Sequence, residues 1–147
     1  MTPPDIDKIY PKFRDIRESI DRLKAFRGIS LDEFLNDQDK QDIASFRFIV
    51  ATEAAIDICL HIAAKVLKKV PEDYAGCFKV LCDHGLIDQE LATCMAQMAR
   101  FRNLLVHKYW EIDYSRMYGI ITGSDLGDLE EFIRQINSCI EERVPRP

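Results

Sequence analysis

The stretch DIASFRFIVATEAAIDICLHIAAKVLKK, residues 42–69, decides the fold. Apolar side chains occupy most of its circumference, and no glycine or proline interrupts it. A helix of that kind has neighbours on most sides, so the pattern predicts a central helix from about Gln38 to Lys69. Glu53, Asp57 and His61 stand four apart on it and form one polar stripe. Pro71 is placed to end this helix and to open the next, with Glu72 and Asp73 in a first turn where acidic groups suit the dipole.

The flanking segments repeat the helical period. Ile6, Ile9, Phe13, Ile16, Ile20, Leu23 and Phe26 recur every three or four residues, which predicts a helix over about 5–27 with Gly28 as its stop. Ser30, with Glu33 three residues on, reads as the cap of a short helix through Leu35. After the segment from Pro71, closed by Gly85, Asp88 caps a helix reaching about Trp110. Asp113 caps a short one through Ile121. Ser124 or Asp125 opens the last, whose stripe is Leu129, Phe132, Ile133, Ile136 and Ile140. The tail VPRP is expected to fray. No segment reads as a strand. The expectation is one all-α domain over 1–147, an up-down bundle of four to five main helices.

The net charge is -5, which argues against a general nucleic-acid coat, because such binding draws on excess Lys and Arg. The window 91–110 is different: it holds Arg100, Arg102 and Lys108 and no carboxylate. Local charge decides what a pocket attracts. The five cysteines form no C-x-x-C pair and have no finger-like histidine spacing. They read as small buried residues in a reducing compartment, without zinc and without a disulfide framework. No apolar run has the length of a membrane span, and the start MTPPDIDKIY does not read as a signal peptide. The expected location is the cytoplasm.

Inside that window lies ARFRNLLVHKYWEID, residues 99–113. Arg102 and His107 are five apart, so on a regular helix their side chains diverge by about 140°. They can serve one site if the helix ends near Val106. Tyr109, seven residues on from Arg102, returns to the arginine's face. Each residue also has a plain structural role available: a histidine at a helix C-terminus, a snorkelling arginine, a tyrosine with a wet hydroxyl. Trp110 reads as an interface anchor, His84 as a surface residue ending its helix, and Tyr74 and Phe78 as core.

Arg102, Asn103, Leu104-Leu105-Val106, His107, Lys108 and Tyr109 reproduce an arginine, a polar residue, three apolar residues, histidine, any residue and tyrosine. In this the chain resembles the HepT branch of the HEPN superfamily, small all-α ribonucleases of toxin–antitoxin pairs. The likeness extends through VPEDYAGCFKVLCDHGLIDQELA, EAAIDICLHI and DLEEFIRQI in the same order. It implies a homodimer whose paired Arg102 and His107 meet in a cleft and cut RNA, with neither metal nor cofactor. It further implies a minimal nucleotidyltransferase antitoxin that transfers AMP to Tyr109. Metal-free cleavage through the 2′-hydroxyl needs a base and an acid, and histidine titrates near neutrality. A two-fold dimer supplies two such groups from one position. Arg102 would clamp phosphate, Asn103 would support it, and DNA, lacking the 2′-hydroxyl, should resist. Glu53 and Asp57, with His61 on the same stripe, are candidates to orient Arg102 or Arg47; a salt-bridge network or a solvated face is the plain alternative for that stripe. Transfer RNA and messenger RNA are both compatible. The alternative is a non-catalytic nucleotide- or RNA-binding partner of the nucleotidyltransferase.

Overall fold

The computed structural model describes residues 3–143, which form seven α-helices and two short 3-10 turns and, among the described residues, no strand. The helices are α1 (Ile6–Lys24), α2 (Leu31–Leu35), α3 (Gln38–Lys65), α4 (Tyr74–Asp83), α5 (Gln89–His107), α6 (Tyr114–Thr122) and α7 (Leu126–Arg143). The expected tail at 144–147 lies outside the described residues.

Four long helices, α1, α3, α5 and α7, alternate in direction. The Asp5 N–H at the start of α1 donates to His61 near the end of α3 (3.0 Å), and Lys12 pairs with Asp57 (3.1 Å). Lys24 at the end of α1 pairs with Glu130 at the start of α7 (2.6 Å). Gln135 on α7 is bonded to Asp88, the cap of α5. The up-down bundle is therefore present, with α3 at its centre: Ala44, Phe48, Ala51, Ala55, Ile58, Cys59 and Ile62 are buried. Alanines on this helix let its neighbours come close, while Phe48 on Phe101 and Phe78 on Phe132 fill the wider gaps edge to face.

Most caps fall where the polar residues foretell them. Ser30 accepts from Glu33 N–H, Asp88 from Leu91 N–H, and Asp113 from Ser115 and Arg116 N–H. Gly85 closes α4 with φ +77°, a conformation that a side chain would strain.

Four expectations need correction. The central helix ends at Lys65, well before Pro71, and Lys68 turns the chain with φ 56°. Pro71 is not the first residue of α4 either. That helix starts at Tyr74, and Asp73 is its cap, accepting from Gly76 N–H at 2.6 Å. A carboxylate in the cap position satisfies a free N–H, which a proline further upstream cannot do. Gly28 does not stop α1, which gives way to a 3-10 turn at Ala25–Gly28. Finally, Cys59 and Cys77 form a disulfide, against the expectation of unpaired cysteines. The packing of α4 on α3 brings their Cα atoms to 6.2 Å, inside the range a bridge can span. Both are fully buried, so a reductant has no access without opening that contact.

Candidate active site around Arg102

Arg102 belongs to the second turn from the end of α5, where that helix meets α3 and the start of α4. Its side chain is only 13% exposed. Three groups hold the guanidinium. Glu53 on α3 accepts from Nη2 at 2.6 Å. Asn103 Oδ1 accepts from Nη1 at 3.0 Å. The ring of Tyr74 lies against it, with Cζ 5.5 Å from the ring centroid. Nε is buried and has no hydrogen-bond partner. One N–H on each terminal nitrogen is left outside these two bonds, which leaves a forked donor for an anion. Glu53, Ile56, Asp57, Tyr74 and Arg102 line a cavity of about 230 Å³. A larger groove of about 740 Å³ runs between α4 and α5 and reaches Asn103, with Lys79 and Arg100 on its walls.

The helix ends where the motif needs it to end. His107 is the last residue of α5, and Lys108 leaves the helical conformation at φ −138°, ψ 44°. A 3-10 turn, Tyr109–Glu111, follows. His107, Tyr109 and Trp110 are all exposed, Tyr109 to 66% and Trp110 to 68%, with their rings edge to face at 5.3 Å. His107 takes no part in the cluster around Arg102 within one chain.

Of the residues proposed to support Arg102, Glu53 reaches it directly. Asp57 lines the same cavity but spends its charge on Lys12. Arg47 lies six residues from Glu53, on another face of α3, and lays its guanidinium over Phe46. His61 serves α1 as a cap rather than the site. His84 ends α4 at the surface, its Nδ1 2.9 Å from the Val80 carbonyl oxygen, as the sequence indicated. Phe78 is core, whereas Tyr74 is not: it is 40% exposed and faces Arg102. Its aromatic character suggested burial, and only the fold brings it to the arginine. Among the described residues no three His, Cys, Asp or Glu side chains are grouped to hold a metal, and no helix is long and apolar enough to cross a membrane.

Comparison with known proteins places this arrangement. The model of the ribonuclease HepT-like family matches residues 16–136. A tRNA nuclease HepT of Aphanizomenon flos-aquae is 34% identical over 121 residues, covering 82% of each chain. An mRNA nuclease HepT of Shewanella oneidensis is 29% identical over 132 residues, covering 90% of this chain and 98% of its own. The structure of a tri-AMPylated Shewanella oneidensis HEPN toxin in complex with MNT antitoxin superimposes with a TM-score of 0.82, at 29% identity and the same coverage. The chain belongs to the ribonuclease HepT-like family.

Proposed function

We propose that the protein is the ribonuclease toxin of a toxin–antitoxin pair, a cytoplasmic, metal-independent endoribonuclease working as a homodimer. The observation that carries this reading is a buried Arg102 that keeps one N–H on each terminal nitrogen outside its two hydrogen bonds, followed five residues on by an exposed His107 at a helix end, in a chain similar to two RNA nucleases. In the dimer, one His107 takes the 2′-hydroxyl proton as that oxygen attacks the neighbouring phosphorus. The partner subunit's His107, protonated, gives its proton to the departing 5′-oxygen. The products are a 2′,3′-cyclic phosphate and a 5′-hydroxyl. Arg102 holds the phosphate oxygens and offsets the charge that builds on them.

Exposed apolar groups next to the signature supply the face on which two copies meet. Val106 in the last turn of α5 and Trp110 in the 3-10 turn after it, with Ile43 and Phe46 on the first half of α3, are open to solvent in the single chain.

Tyr109 is the site of control. Its hydroxyl is accessible to an enzyme, and it lies two residues from His107. AMP there adds a phosphate that competes for Arg102 and a nucleotide that fills the cleft. The tri-AMPylated state and the MNT antitoxin of the Shewanella toxin support this reading.

The test is cleavage of RNA by the purified protein in excess chelator. His107→Ala should lose at least about a hundredfold in rate, and an oligonucleotide with 2′-deoxy at the cut site should survive. Equal cleavage by wild type and His107→Ala, or abolition of wild-type cleavage by the chelator, overturns it. Tyr109→Phe should keep the activity yet gain no mass on co-expression with a minimal nucleotidyltransferase that modifies the wild type. A mass gain of whole AMP units on that variant would move the modification elsewhere.

A further inference from the structure

Arg102 is held from three elements, and the three restraints are not equivalent. Glu53 and Asn103 bind its N–H groups in the plane of the guanidinium and so consume donors. Tyr74 instead offers its ring, over which Cζ lies 5.5 Å from the centroid, and takes no donor. A ring there restrains the guanidinium by cation–π attraction and leaves the N–H groups that Glu53 and Asn103 do not use available for phosphate. Tyr74 is itself well placed. It is the first residue of α4, directly after the cap Asp73, whose carboxylate takes the Gly76 N–H. A Cβ at Gly76 would sit 2.8 Å from Asp73 Oδ1, so a side chain there would make this cap shift. One turn on, Cys77 ties α4 to α3 through Cys59.

We propose that Tyr74 is a positioning residue for Arg102: its ring, lying 5.5 Å from Cζ, sets the plane in which the guanidinium meets the scissile phosphate. The consequence for RNA rests on the nuclease reading above; the geometry does not. Tyr74 touches no reacting atom, so its loss leaves the acid–base chemistry of His107 in place and removes part of the charge stabilisation. The ring matters and the hydroxyl does not.

Two measurements on the full-length protein test this. In the first, Tyr74→Phe and the ring-free Tyr74→Leu are compared on RNA, with Tyr74→Gln as a second ring-free variant should leucine unsettle the helix start. Phenylalanine should retain kcat within about twofold, the ring-free variants should lose about tenfold, and all should keep the wild-type pH profile. In the second, the Arg102 side-chain N–H signals, identified by their loss in Arg102→Lys, are followed by NMR. The ring current of residue 74 should shift them in wild type and Tyr74→Phe, and the shift should vanish in Tyr74→Leu. Leucine as active as phenylalanine, phenylalanine as poor as leucine, or Arg102 signals indifferent to Tyr74→Leu each overturn the proposal. If the wild type cuts no RNA at all, the nuclease reading fails alone, and the NMR shift decides the placement of Tyr74.

Discussion

A guanidinium that is nearly nine-tenths buried has to be paid for by its neighbours, and Glu53 is the only anion bonded to Arg102 among the described residues. Removing one partner of such a pair leaves a buried charge uncompensated, whereas removing both leaves only a packing question. Glu53→Ala should therefore cost about 1–3 kcal/mol of stability, measured by urea unfolding, and Glu53→Ala with Arg102→Met should recover most of it. A double variant no more stable than the single one would show that the pair is not the source of the loss. At this scale the sequence was only partly legible. The spacing of Glu53, Asp57 and His61 puts them on one stripe, but it cannot say that three different neighbours, Arg102, Lys12 and Asp5, claim them one each. The role of Tyr74 is hidden for the same reason: a contact between residues 28 apart in sequence depends on how α4 lies on α5.

Helices were the most readable level. Local chemistry sets their ends, and Ser30, Asp88 and Asp113 perform as caps because each has a free N–H two or three residues ahead. Pro71 misled because proline reports where a helix cannot continue, not where packing ends it. The register of α1 against α3 carries a pH signature. His61 accepts the Asp5 N–H through Nε2, and partial burial, with Lys65 and Lys8 nearby and Asp5 opposing, holds its pKa below the usual 6.5. The unfolded chain then binds the proton more readily than the folded one, so stability rises with pH across this interval. The contribution is complete above about 6.5 and is lost as the pH falls through the lower folded value. Melting temperature should drop between pH 7 and pH 5, and His61→Gln, which keeps an acceptor without a charge, should flatten that drop. An unchanged slope in the variant would place the acid sensitivity elsewhere.

The whole molecule is one layer of long helices around α3, with a continuous buried cluster from Ile9 to Ile140. That much follows from the apolar period of the sequence, since a helix apolar all round has to be enclosed. What the period cannot show is which outer faces remain for a second chain. Here the exposed Ile43, Phe46, Val106 and Trp110 lie at the same end of the bundle as His107. A dimer through that face would place two histidines on one cleft, so that one such residue per chain could supply both acid and base, as proposed above. Subunit mixing tests this directly. Wild type and His107→Ala are refolded together in varied ratio, and RNA cleavage is measured at constant total protein. If each cleft needs both imidazoles, the rate falls as the square of the wild-type fraction; a linear fall would mean that each chain cuts alone and would contradict the shared site.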